Sequence, residues 1–323
     1  MKKDRVILFW SNIPSDFGYT NYQDWENSEL KFSPFHDLVF KSHERLNNDV
    51  ELWTFQQVTN FPYKNITIKN ANKYINTEFA FNCLNMGHSI AFVSDAIRLK
   101  RASEVLGIVL DMDTVCLKPF PKYNSWFSTM PSKKTGGFAP KWGKNRPPMI
   151  VHDGSWNGKE LTAFPLKVSL NTKKQIDCLA DKIIAKLAQK TKRTSNEWNS
   201  TLWTIKTIAD QDTTAKVFEP IYMSPLPAWL GKGKCYSIES PTRLTGDTVL
   251  FGHRLPSIDE IFEKSYVVAH FFESVWNNAD LLSAENWGKL PIDCLLSKEC
   301  ELILGSSYTN SVQVTKEYQT SFI

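Results

Sequence analysis

Apolar positions in the first third of the chain follow two alternating rhythms. Short dense runs, Val6-Ile7-Leu8-Phe9-Trp10, Val50-Glu51-Leu52-Trp53-Thr54-Phe55 and Ile108-Val109-Leu110, have the length of buried strands. Between them, 35–46 and 79–105 carry apolar residues three and four apart, as in Ile90, Val93 and Ile97, which predicts helices. Strand-like runs alternating with helical stretches predict β-α-β units from residue 6 to about 122. Further on, 172–190 sets Ile176, Leu179, Ala180, Ile183 and Leu187 on one face and lysines around the other. A second amphipathic helix is expected over 196–209, through Trp198, Leu202, Ile205 and Ile208, with Trp203 off the stripe and expected against a neighbouring face or, as the alternative, facing a pocket. The last third mixes proline-rich turns (Ser224-Pro225-Leu226-Pro227) with short apolar runs, Val249-Leu250-Phe251 and 266–269, and closes on a polar 306–323 stretch.

The third strand run ends in Asp111-Met112-Asp113. Side chains alternate along an extended backbone, so the two carboxylates leave the strand end on the same side, about 6–7 Å apart at Cα. The carboxyl end of a buried strand is where open α/β sheets bind ligands. No lysine or arginine follows until Lys118, and a hard divalent cation with a phosphate ligand would neutralise such a pair. In the preceding helix Asp95 and Arg98 are three apart and share a face. They read either as an ordinary surface ion pair or as groups aimed at the same strand end.

Taken together, Ser94-Asp95-x-x-Arg98, the following helix, Gly107 and Leu110-Asp111-x-Asp113 resemble the sugar-nucleotide region of the DXD-containing retaining glycosyltransferases. That group includes the initiating α-mannosyltransferase, capsule sugar transferases and the large clostridial glucosylating toxins. Leu106 stands where the family has the first of two glycines, and Val109 where it has an aromatic. Val6–Trp10 is similar to the family's first strand, and Trp25 follows as in many members. The segment His270-Phe271-Phe272-Glu273-Ser274-Val275-Trp276 resembles its closing His…Ser…Trp segment. The resemblance covers roughly the first 120 residues and about ten near position 270. It implies a GT-A-like mixed sheet flanked by helices, with 1–122 as the nucleotide-sugar half and 123–323 as the acceptor side and closing segment of one domain.

The site that follows from the resemblance places Asp95, Arg98 and Asp111 on the sugar and the phosphate side of the donor, and Trp10 on its base. Ser274 and Trp276 would close over the diphosphate. Asp113 would bind Mn²⁺ or Mg²⁺ directly and Asp111 directly or through water. His270 is the first choice for a third ligand, because neutral imidazole suits Mn²⁺, and Glu273 is the reserve. The donor would be a UDP- or GDP-sugar, and the activity a hexosyl or pentosyl transfer. A sugar-nucleotide hydrolase or binding protein on the same fold is the nearest rival.

Composition limits the alternatives. With 42% hydrophobic and 13% aromatic residues there is ample material for a core. No stretch approaches the ~20 apolar residues a membrane span needs, and the apolar run after Met1-Lys2-Lys3-Asp4-Arg5 is too short for a signal peptide. An unanchored, cytoplasmic protein is expected, a virus-encoded one included. The six cysteines are scattered without a Cys-x-x-Cys pair, which speaks against zinc sites and disulfides. Dinucleotide, Walker and Gly-x-Ser-x-Gly motifs are absent from the sequence. Net charge is a mild +4, but Lys133, Lys134, Lys141, Lys144 and Arg146 occur together, interleaved with Phe138 and Trp142 and without an acid. Such a loop reads as a solvated excursion or as a surface for a polyanion, with Trp142 as a stacking platform. A soluble glycan is therefore the first expected acceptor, a protein another, and hydroxymethylated DNA bases, as some phages require, the polyanionic alternative. A non-catalytic nucleic-acid-binding module is the third class, against which the acid pair speaks.

Overall fold

The computed structural model describes residues 4–131, 159–189, 195–226, 249–250, 253–270 and 295–305. Its centre is a mixed seven-stranded sheet: β1 (Arg5–Phe9), β2 (Asp49–Thr54), β3 (Ile66–Asn70), β4 (Ile108–Val109), β6 (Trp126–Pro131), β7 (Lys159–Lys167) and β8 (Lys216–Phe218). The order is β3-β2-β1-β4-β7-β6-β8. β3, β2, β1 and β4 are parallel, β7 runs antiparallel to both β4 and β6, and β8 is parallel to β6. The mixed sheet with helices on both faces is the architecture expected from the sequence. The expected strands and all four expected helical stretches are present, 79–105 as two helices.

Both faces of β1 are buried, which is why its sequence is apolar without alternation. Val6 and Leu8 face a layer with Phe40, Val50, Leu52, Ile108 and Trp126. Ile7 and Phe9 face the other, with Trp25, Trp53, Ala96, Ile97 and Val109. The first layer is closed by α2 (Pro34–Arg45), which starts at Ser33-Pro34; the Ser33 backbone N–H donates to His36 Nδ1 at 2.8 Å. α1 (Tyr22–Asn27), α3 (Thr77–Asn85) and α4 (Ile90–Val105) close the second. α3 and α4 are separate because Gly87, at φ 85°, takes a left-handed conformation and Ser89 then caps α4 through Ala91 N–H.

α4 is fastened to the sheet at its far end. Glu51 on β2, 2% exposed, accepts from Arg101 Nε and Nη2, both at 2.7 Å, from Arg5 Nη1 at 3.1 Å and from Trp53 Nε1 at 3.1 Å. Burial alone would raise its pKa, but these donors hold it below the ordinary glutamate value. The helix then turns into β4 through Leu106, at φ 57°, and Gly107, where a Cβ would stand 2.9 Å from the Arg5 carbonyl oxygen. Leu106 is thus in the region that favours glycine, at the position where the resembled family has one.

Beyond Asp113 the chain leaves the main sheet. β5 (Thr114–Cys116) pairs antiparallel with β11 (Val267–Ala269), and the short strands β9 (Val249–Leu250) and β10 (His253–Arg254) pair with each other. α5 (Lys173–Leu187) and α6 (Ser195–Gln211) pack outside α4 and β7, and α7 (Pro220–Met223) lies against β6. α8 (Ile258–Lys264) and α9 (Leu295–Leu304) enclose a third apolar cluster with Phe35, Leu38, Val39, Val115 and Val268. Trp203, expected against a neighbouring face, is instead half-exposed, with Lys206 over its ring. Cys83, Cys116 and Cys300 are buried thiols and Cys178 an exposed one. No helix among the described residues is long and apolar enough to cross a membrane.

Two buried histidines make the fold sensitive to mild acid. Burial holds the pKa of His36 and of His43 down to about 3, so both rings are neutral when folded. The unfolded chain takes up these protons near pH 6.5, so stability is intact above that pH and declines below it, by about 1.4 kcal/mol per pH unit for each ring. Urea midpoints measured between pH 7.5 and 5 should fall accordingly, and His36→Gln should flatten the decline. A level profile would place both rings in contact with water.

Candidate active site

The chain lays β2 and β3 outward from β1, then returns through α4 to lay β4 on the other side of β1. The direction of sheet growth reverses between β1 and β4, and such a switch point opens a crevice at the carboxyl ends of the two strands. Trp10, Ser11 and Asn12 follow β1 on one side of it; Leu110, Asp111 and Asp113 follow β4 on the other.

Arg98 joins the elements around that crevice. Its Nη2 lies 2.9 Å from Asp95 Oδ1 and its Nη1 2.6 Å from Asp111 Oδ1, and Nη1 also donates to the Leu110 carbonyl oxygen. The guanidinium sits over the Phe164 ring at 4.3 Å. Asp95 is 1% and Arg98 3% exposed, whereas the Asp111 side chain is 37% exposed. Burial alone would lower the pKa of Arg98, but the carboxylates of Asp111 and Asp95 outweigh it and raise it above the usual arginine value. The surface-pair reading of Asp95 and Arg98 is therefore wrong, and so is the view of Asp111 as lacking a cation nearby. Lys118 was the nearest in sequence; Arg98 is the one that reaches it through space.

Asp113 is half-buried, and its carbonyl oxygen accepts from the His270 backbone N–H at 2.9 Å, one step beyond the β5–β11 ladder. That bond places the His270 backbone beside Asp113. The His270 imidazole does something other than the expected ligation. It is fully buried against Phe35, ring centroids 5.3 Å apart, with Nε2 2.9 Å from Oε2 of Glu299 on α9. Among the described residues no three histidine, cysteine, aspartate or glutamate side chains are grouped to hold a metal. Glu273, Ser274 and Trp276 lie outside the described residues, as do Lys133, Lys134, Lys141, Trp142, Lys144 and Arg146.

Trp10 is half-buried, its Nε1 donating to the Lys31 carbonyl at 2.9 Å and its ring 4.3 Å from that of His36. Trp25 is wholly buried and donates to the Asn12 carbonyl at 2.8 Å, fixing the loop after β1 rather than facing the crevice.

Sequence reasoning missed a polar group beside Trp10. Gln56, at the end of β2, accepts through Oε1 from Ser11 Oγ at 2.7 Å and from the Asn12 backbone N–H at 3.3 Å. The backbone donor fixes the amide orientation. Gln56 Nε2 is then buried without a hydrogen-bond partner among the described residues. Gln56 lines a cleft of about 440 Å³ at the carboxyl ends of β2 and β3, together with Glu26, Asn27, Thr54, Lys69 and Asn70. The available signal was the appearance of polar residues, Ser11-Asn12 and Gln56-Gln57, directly after two strand runs rich in apolar residues.

No family model matches the chain, and no curated protein matches it. Among solved structures, one titled PaToxG Glycosyltransferase is similar to it at 12% identity. The match covers 64% of this chain and 71% of that one, with a TM-score of 0.33. At that TM-score the likeness leaves the site to its own geometry.

Removal of Arg98 would strand the buried Asp95 carboxylate. Arg98→Ala should cost about 3–5 kcal/mol in chemical denaturation, the range for breaking a buried pair, against under ~1 kcal/mol for an exposed one. A loss within the exposed range would return the pair to the surface.

Proposed function

We propose that the chain is a glycosyltransferase of the metal-dependent, retaining type, taking its sugar from a UDP- or GDP-sugar bound in the crevice between β1 and β4. The observation that carries this reading is the Arg98 bridge: Arg98 bonds the buried Asp95 to the part-exposed Asp111 just after β4, at a switch-point crevice, and Asp113 follows two residues on. Asp111 and Asp113 offer hard oxygen donors there, and Mn²⁺ or Mg²⁺ commonly takes only one or two protein carboxylates when substrate phosphates complete its shell. The donor set fits such an ion, with Asp113 the direct ligand, Asp111 direct or through water, and Glu273 in reserve. Bound there, it would act as a Lewis acid on the leaving diphosphate.

The remaining roles belong to the chain itself. Arg98 and Asp95 orient the sugar and steady Asp111, since positioning a reactant supplies much of a transfer enzyme's advantage. Trp10 offers an aromatic surface to the base, and Gln56 Nε2 a donor to an acceptor atom of the nucleoside. Ser274 and Trp276 are proposed to fold over the diphosphate and exclude water. The part of the chain after 122 is proposed to hold the acceptor, a soluble glycan first.

Two measurements test the reading. Thermal shift with UDP, GDP and their sugars, with and without Mn²⁺, should show metal-dependent stabilisation; a ligand at 100 times its dissociation constant adds about 2.7 kcal/mol. Asp113→Asn should abolish both that shift and donor turnover while the unliganded melting temperature stays near wild type. Normal turnover by this variant in the presence of a chelator would overturn the metal-assisted mechanism.

A further inference from the structure

The contact between His270 and Glu299 has no part in the chemistry proposed so far, yet it is the most deeply buried ionisable pair described. Both side chains are 0% exposed, Nε2 to Oε2 is 2.9 Å, and the neighbours are Phe35, Leu295, Leu296 and Cys300. Taking a carboxylate fully out of water is expensive, and replacing such a pair with apolar residues of similar volume is often neutral or stabilising. Stability alone therefore gives α9 little reason to carry a glutamate at this position. What the pair does achieve is location. Glu299 holds the His270 ring from α9; the His270 backbone N–H holds the Asp113 carbonyl at 2.9 Å; and Ala269 pairs with Thr114 in the adjoining ladder. A slip of β11 by one residue would turn its side chains over and remove that bond from Asp113.

We infer that Glu299 is a positioning residue. Through His270 it fixes the register of β11 on β5, and with it the turn bearing Asp111 and Asp113. The inference rests on the reading of the acid pair as part of a donor site. Groups behind a ligand commonly change affinity 10- to 100-fold when removed, without touching the ligand themselves.

The test compares Glu299→Leu, His270→Leu and the double variant with wild type. It reads the melting temperature, the dissociation constant of UDP and GDP with Mn²⁺ by calorimetry, and the exchange rate of the His270 amide. Glu299→Leu, which removes one member of a buried pair, should lower the melting temperature, weaken nucleotide binding at least tenfold and speed exchange of that amide at least tenfold, whereas the double variant should keep or raise the melting temperature. The double variant should be no worse than either single one, because the two residues act as a unit. A folded Glu299→Leu protein with wild-type affinity and wild-type exchange overturns the inference, as do losses that add in the double variant. Should the leucine variants fail to fold, Glu299→Gln, which keeps a polar side chain of the same length facing the His270 ring, should stay within threefold of wild type where Glu299→Ala loses tenfold; equal losses overturn it. Wild-type protein that binds neither nucleotide would sink the donor-site reading instead, and the amide exchange rate would still decide the positioning role.

Discussion

Everything at the carboxyl edge of the sheet depends on one guanidinium. Asp95 is sealed from water on α4 and tolerable there because Arg98, one helical turn on, faces it at 2.9 Å. Arg98 is itself buried, and its charge is supported by a second carboxylate on a different element, Asp111 after β4. The Phe164 ring on β7 closes over the guanidinium. One side chain thus ties a helix to two neighbouring strands. A lysine could not do this, since the arrangement uses the planar fork in two directions and its face in a third.

Such a bridge works only if α4 lies at a fixed depth along the sheet. The constraint is applied one helical turn on, where Glu51 takes both Arg101 and Arg5. Around these anchors the helix buries Val93, Ala96, Ile97, Leu99 and Ala102. Gly107 then lets the chain pass close to Arg5 on the way into β4. The helix is held by charge at successive turns and by apolar packing along its length. Apolar packing alone is less selective about small axial shifts, and a shift of one residue, ~1.5 Å, would take Arg98 out of bonding distance of Asp111.

The parts legible in the sequence were those whose signal is local. β1, β2, β4 and β11 are short apolar runs; α2, α5 and α6 have strong one-sided periodicity. The acid pair and the Asp95–Arg98 spacing could be read because each lies within a few residues. β3 was passed over because Ile66 and Ile68 offer only two apolar positions at an exposed edge. The 79–105 stretch keeps its apolar spacing across Gly87, so the break shows in a backbone angle rather than in the pattern. β6, β7 and β8 depend on one another over some ninety residues, and no local window carries that. The same limit explains His270: nothing near it in sequence announces Glu299, which comes from a helix twenty-nine residues on.

Asp111 bonds to Arg98 and is also assigned to the donor, and the two duties would conflict if each required the whole carboxylate. They do not. A carboxylate has two oxygens and about four acceptor directions, and Arg98 engages Oδ1. With 37% of the side chain still exposed, the group keeps capacity on the crevice side. Arg98 also fixes the plane of the carboxylate before any ligand arrives, so the ordering entropy is spent during folding rather than during binding. Exposure falls from Asp111 to Arg98 to Asp95, so water is available where a ligand must enter and absent where the charges must stay put. That gradient is set by α4 lying behind β4, so the capacity to bind at this edge is a property of the helix–strand packing as much as of the two aspartates themselves.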